Sequence, residues 1–335
     1  MSMTDSVAVI GAGAWGTALA LVLADKGVPT ALWMYEKDLA EETGRTRENR
    51  VYLPGFPLPA SISVTSSLEE AVKGRPFVLS VVPSHTVRPV SKQFAPFLAP
   101  GAIIINASKG IEIETLSPLA EVFKDTLPEE YHDRLCFLSG PSFAKEVAKK
   151  MPTTVALACA DPATGKRAQQ LMSAPYFRVY TNNDVIGVEL GGSIKNVIAI
   201  AAGVLEGLGF GHNTMAGLIT RGLAEMSRLG VAMGADHRTF AGLAGMGDLV
   251  LTCTGDLSRN RTLGVRLGKG EKFDDIMKGL KTVAEGVKTA KAARELARKQ
   301  GVDMPVVEEV YRIIYEGKDP RLALKDLMSR ELKNE

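Results

Sequence analysis

Cysteine is scarce in this 335-residue chain, with three residues, Cys136, Cys159 and Cys253, scattered without the paired spacing of a metal site. An odd, sparse count excludes a disulfide-built fold and fits a reducing compartment. An excess of charge of either sign is also missing. Lys and Arg number 40 against 38 Asp and Glu, a formal net charge of +2, so nothing advertises a polyanion-binding surface and nucleic acid is not an expected partner. A membrane span is not expected either: the candidate run around Lys195 falls short of the roughly twenty residues that one requires, and the N-terminus MSMTDSVAVI has no basic flank leading into an apolar signal core. A cytoplasmic protein is the expectation. Its length suggests two domains, and with no repeat, low-complexity tract or long linker, those domains are expected to abut with a ligand cleft between them.

What is present alternates. Apolar runs Val7–Ile10, Thr30–Trp33, Phe77–Val82, Ala102–Ala107, Leu135–Ser139 and Thr153–Ala158 are separated by helical or loop segments, and Ile62–Val64 is a shorter candidate. Runs without polar alternation are strands of a parallel sheet covered on both faces, so the sequence predicts a doubly wound α/β domain over residues 1–185. Beyond it the β-runs stop. Residues 186–335 read as an all-α domain: Val287, Ala290, Ala293 and Leu296 share a helical face before Gly301, and Met304-Pro305 opens a segment carrying Val306, Val310 and Ile313.

The first run leads directly into Gly11-Ala12-Gly13-Ala14-Trp15-Gly16, followed by a helix predicted over Thr17–Lys26 and ended at Gly27. Strand, G-x-G-x-x-G and helix in this order form the dinucleotide fingerprint of a Rossmann-like domain. Gly11 serves a tight turn, Gly13 lets the backbone approach a pyrophosphate, and Gly16 serves close helix packing. Glu36 follows the second strand, where a carboxylate accepts from a ribose hydroxyl and repels a 2′-phosphate, which favours NAD over NADP. The alternative is that Lys37, Arg45 or Arg47 receives the phosphate, and a flavin dinucleotide would use the same fingerprint. Loops follow three other strands, at Val82-Pro83-Ser84-His85, Asn106–Gly110 and Ser139–Ala144, and all are expected on one sheet edge. Lys109 is the chemically useful member. His85 and His212 lack an identifiable orienting carboxylate and read as structural.

Between Glu189 and Glu206 lie 16 residues, LGGSIKNVIAIAAGVL, in which only Lys195 is charged. A desolvated lysine gives up its proton more readily, which suits proton transfer at a carbonyl while a nicotinamide handles the hydride. The other reading is an apolar stem whose head reaches water. Asp248, in Gly242-Leu243-Ala244-Gly245-Met246-Gly247-Asp248, either pairs with Lys195 or caps a helix. In Leu257-Ser258-Arg259-Asn260-Arg261, Ser258 is a predicted N-cap. Hydroxyl, amide and guanidinium groups at one helix start suit a phosphate, the alternative being a solvated basic face. No Cys and His cluster offers a metal site.

GAGAWGTALA, VPSH, NASKG, SGPSFAKEV, ELGGSIKNVIAIAAG, GLGFGHNT, LITRGLAEM, TFAGLAGMGDLVLTC, SRNR and VAEGV occur in order across nearly the whole chain. In these motifs the chain resembles the bacterial-type NAD(P)-dependent glycerol-3-phosphate dehydrogenases. The resemblance implies reversible hydride transfer between NAD(P)H and dihydroxyacetone phosphate, supplying sn-glycerol 3-phosphate for phospholipid synthesis, by a homodimer. It makes Lys195 the proton donor and acceptor, and places Lys109, Gly140, Ser142, Lys195, Asp248, Ser258, Arg259 and Asn260 along the substrate. It also places Ala14, Trp15, Lys109, Ala144, Arg259, Val283 and Glu285 on the cofactor, Val283 and Glu285 by resemblance alone. Where several relatives carry a basic residue after the second strand, this chain has Tyr35-Glu36. The residues by themselves leave two other readings: a dehydrogenase of 3-hydroxy acids or sugar acid phosphates, and a nicotinamide-binding sensor without turnover.

Overall fold

The computed structural model describes residues 5–278, 284–332 and 334. The chain divides into two compact units, Met1–Lys109 with Ser117–Glu189, and Gly110–Leu116 with Leu190–Glu335.

The first unit is built on an eight-stranded sheet in the order β3-β2-β1-β4-β5-β6-β7-β8. The strands are β1 Val7–Ile10, β2 Thr30–Trp33, β3 Ile62–Thr65, β4 Phe77–Ser80, β5 Ile103–Asn106, β6 Leu135–Ser139, β7 Thr153–Cys159 and β8 Phe177–Asn182. β1, β2, β4, β5 and β6 are buried at every position, as expected of strands covered on both faces. From β3 through β6 all pairings are parallel. The chain order reverses between β1 and β4, and ligands of such sheets bind beside that point.

Two features depart from a fully parallel sheet. β6 and β7 pair antiparallel, Cys136 opposite Cys159, and β8 then runs parallel to β7. β8 is not among the apolar runs of the sequence because it alternates, with Phe177 and Val179 buried and Arg178 and Tyr180 exposed, the pattern of an edge strand with one wet face. The first helix is also longer at its start than the sequence suggests, Ala14–Asp25, because Gly13 rather than Gly16 is its N-cap. It ends at Asp25 with Lys26 as its C-cap, and Gly27 follows with a φ of +73° that suits glycine.

In the second unit the regular elements among the described residues are helices joined by loops, and the predicted stripes are buried: Val287, Ala290, Ala293 and Leu296 on Glu285–Lys299, and Val306, Val310 and Ile313 on Pro305–Tyr315. The central element is Val185–Gly207, 23 residues long, within which the chain passes from one unit to the other. By length and composition it could cross a membrane, which corrects the reading of this run as too short, since the helix begins before Glu189. It is a core helix, 78% of its apolar window being buried in the protein. Its glycines bring backbones together. A β-carbon at Gly203 would stand 2.0 Å from the Arg261 carbonyl oxygen, and one at Gly264 2.1 Å from that of Ile200. The helix Arg259–Gly268 can therefore lie directly against Val185–Gly207, and a methyl group at either site would force them apart.

Candidate active site

In the first unit, the turn after β1 separates three roles among its glycines. Gly11 has a φ of +109°, and a β-carbon there would meet the Val81 carbonyl at 2.9 Å; one at Gly16 would stand 1.9 Å from the Gly11 oxygen. The protein's own packing demands both. Gly13 is different, because its φ is −64° and a β-carbon would meet nothing within 4 Å. The protein's own packing does not require a glycine there, and its bareness leaves the N-terminus of the following helix open, as the close approach of a pyrophosphate would require. Ala14 opens the helix, and Trp15 packs near Phe177 with ring centroids 6.3 Å apart. Asn49, fully buried, donates to the Ala12 carbonyl at 2.8 Å and to Thr17 Oγ1 at 2.9 Å, holding the turn. Nothing in the local sequence around Asn49 announces this.

Glu36 is the N-cap of the helix Lys37–Thr46, but its side chain makes no cap bond. Its carboxylate accepts instead from the Tyr52 hydroxyl at 3.1 Å. The guanidinium of Arg47 donates to the carbonyls of Leu58, Pro59 and Ile62. It is spent on backbone, which removes it as a receiver for a 2′-phosphate.

Loops at the carboxyl ends of β4, β5 and β6 lie on one edge because these strands are parallel neighbours. Ser108 donates to the Val82 carbonyl at 2.6 Å, and the Lys109 ammonium to the Gly140 carbonyl at 3.3 Å, where Ser142 Oγ also donates at 2.9 Å. Gly140 has a φ of +141°, and a β-carbon would meet Val155 Cα at 2.9 Å. Ala144 opens the short helix Ala144–Ala148 after this loop. His85 is exposed in a single turn after β4, and His212 is exposed at the start of His212–Ala232.

In the second unit, Lys195 is 7% exposed and Asp248 0%. The ammonium donates to Asp248 Oδ1 and to Thr252 Oγ1, so its head is held by protein partners. Burial opposes the charged ammonium, and the carboxylate and hydroxyl offset that cost. Thr252 was missed by sequence reading, although its spacing of four from Asp248 on a helix places both on one face. Asp248 opens the helix Asp248–Thr254 directly after a turn of π-helix, Leu243–Gly247, closed by the Gly247 N–H on the Gly242 carbonyl at 3.1 Å. That turn seats against the lysine's helix at Gly191, where a β-carbon would come within 2.4 Å of the Ala244 oxygen. The neighbouring thiol of Cys253 is pushed up to about 12 by burial and stays protonated.

Ser258 is the N-cap of Arg259–Gly268, its hydroxyl accepting from the Arg261 N–H at 3.2 Å. Asn260 donates to Asn196 Oδ1 at 2.9 Å and accepts from the Gly286 N–H at 2.9 Å, linking the residue after Lys195 to the start of Glu285–Lys299. Arg261 is held by Glu206 at 2.7 Å and Asp256 at 3.0 Å, whereas Arg259 is exposed. Glu285 is half-buried, and Val283 lies outside the described residues. Among the described residues, no group of three or more His, Cys, Asp or Glu side chains could hold a metal ion.

Residues 6–165 match the family model for the NAD-dependent glycerol-3-phosphate dehydrogenase N-terminus and residues 184–325 the one for its C-terminus. The chain is 56% identical over 333 residues to glycerol-3-phosphate dehydrogenase [NAD(P)+] of Geobacter sulfurreducens, covering 99% of each chain. To the protein of the same name from Desulfotalea psychrophila it is 52% identical, covering 100% of this chain and 99% of the other. A crystal structure of glycerol-3-phosphate dehydrogenase from Coxiella burnetii aligns with a TM-score of 0.92 at 39% identity, covering 98% of this chain and 99% of that one. With both halves of the pattern present in order, the chain belongs to the NAD-dependent glycerol-3-phosphate dehydrogenase family.

Proposed function

We propose that the protein interconverts dihydroxyacetone phosphate and sn-glycerol 3-phosphate using NAD(H) or NADP(H), with NAD preferred. The observation that carries this reading is the buried ammonium of Lys195 on Asp248 and Thr252. When bound, the reduced nicotinamide supplies a hydride. Lys195 supplies the proton and neutralises charge developing on the substrate oxygen, and Asp248 holds the ammonium in place.

Residues 1–185 hold the dinucleotide in this reading and residues 186–335 the substrate. Gly11, Gly13, Ala14, Trp15 and Gly16 cradle the pyrophosphate side, Glu36 takes a ribose hydroxyl, and Lys109 and Ala144 add to the cofactor set from loops of the same unit. Ser258 and Asn260 fix the helix start at which Arg259 offers a guanidinium to the substrate phosphate. The protein works as a homodimer in the cytoplasm.

The test is the loss of reduced-nicotinamide absorbance when dihydroxyacetone phosphate is added to the purified protein with NADH and, separately, NADPH. Turnover that is faster with NADH supports the reading. No turnover with either cofactor overturns the substrate assignment.

A further inference from the structure

The segment Arg47–Leu58 folds back on itself as a small closed loop. The Leu58 N–H donates to the Arg47 carbonyl at 2.7 Å, Glu48 bridges to Pro57, and Glu48 Oε1 accepts from the Gly55 N–H at 2.8 Å. Leu53 and Leu58, 3% and 4% exposed, anchor it in the core of the first unit. Arg47 locks its base onto the carbonyls leading into β3. One side of this loop grips the glycine turn through Asn49, which also accepts from the Tyr52 N–H at 3.2 Å. Three residues on, the Tyr52 hydroxyl donates to the Glu36 carboxylate. Phosphate turn and ribose carboxylate are therefore referenced to one rigid piece of chain.

We infer that Tyr52 is a specificity-determining positioning residue, which pins Glu36 so that one carboxylate oxygen is held by the tyrosine and the other accepts a ribose 2′-hydroxyl. This rests on reading the first unit as a nicotinamide dinucleotide site. A carboxylate free to rotate can swing away from a 2′-phosphate, whereas a pinned one cannot, so the tyrosine turns a weak preference into discrimination by like-charge repulsion. Glu36 is exposed, so the tyrosine hydroxyl is the restraint that matters to its rotamer.

The experiment is titration calorimetry of the full chain with NADH and with NADPH, for the wild type, Tyr52→Phe, Glu36→Gln and the double variant. Tyr52→Phe is expected to weaken NADH by about threefold to tenfold, the worth of one hydrogen bond, while NADPH binds as before or more tightly. In the Glu36→Gln background the same change is expected to leave the NADH to NADPH ratio within about twofold. An equal loss for both cofactors, or an unchanged ratio in the single variant, overturns the inference. A wild type that binds neither cofactor, or prefers NADPH, overturns the underlying reading before any variant is compared.

Discussion

Thr252 stands one helical turn beyond Asp248, and its hydroxyl donates to the Asp248 backbone carbonyl at 2.6 Å, leaving its lone pairs to accept from the Lys195 ammonium at 3.0 Å. One short helix thus offers a carboxylate and a hydroxyl to the same nitrogen. Replacing Thr252 by Val keeps the volume and removes the acceptor. Turnover is expected to fall about tenfold, the equivalent of roughly 1.4 kcal/mol, with cofactor affinity unchanged. Thr252→Ser is expected to recover most of it. Steady-state kinetics of the two variants check this, and a Val variant with full turnover removes Thr252 from the site.

Lys195→Ala removes the proposed proton donor. Turnover should drop on the order of a hundredfold to ten-thousandfold, with NADH binding by calorimetry intact. Asp248→Asn strands a buried ammonium without its counter-charge, so it should lose about 3 kcal/mol of stability as well as activity. A Lys195→Ala enzyme turning over at the wild-type rate would falsify the mechanism.

Two glycine replacements should have opposite effects. At Gly13 a β-carbon meets nothing within 4 Å, so Gly13→Ala is expected to change stability by no more than about 0.5 kcal/mol and to weaken dinucleotide binding at least about tenfold. At Gly264 the added carbon would stand 2.1 Å from the Ile200 oxygen, so Gly264→Ala is expected to cost about 3 kcal/mol or more. Chemical denaturation with calorimetry separates the two. Loss of stability at Gly13 would return that glycine to the fold and away from a ligand.

Glu225, 1% exposed, accepts from the N–H groups of Val306 at 2.8 Å and Val307 at 3.2 Å, capping the helix Pro305–Tyr315. Burial pushes its carboxyl up to about 7 against the opposing pull of those N–H groups. The native state therefore holds a proton that the unfolded chain releases from the ordinary carboxylate range upward. Its contribution to stability is full below that range and is lost as pH rises through about 7. Glu225→Gln cannot titrate, so its stability relative to wild type should improve between pH values of about 5 and 8, by an amount of order 1 to 3 kcal/mol. Melting curves at both ends measure this, and a pH-independent difference would contradict it.

Much of the molecule was legible because the signals are local. Val7–Ile10 and the glycines after it specify strand, turn and helix within a few residues, and the stripe Val287, Ala290, Ala293, Leu296 declares its own buried face. Lys195 and Asp248 drew attention for a similar reason, as single charges in apolar or glycine-rich settings. The sequence alone thereby determined the fold class, the cofactor class and which residues to watch.

The tertiary structure decided what depends on direction and on distant partners. Strand direction is not written in apolar content, so the reversal at β7 was invisible, and the alternation of β8 marked an edge strand instead of a covered one. The partner of a polar side chain is equally nonlocal. Asn49 reaches back 37 residues to Ala12, Asn260 reaches back 64 to Asn196, and Lys195 finds its carboxylate 53 residues on. Such pairings follow from how closely backbones approach, and here glycines at Gly191, Gly203 and Gly264 set that approach. A buried polar group must be satisfied by whatever the fold brings near, and only folding brings it there.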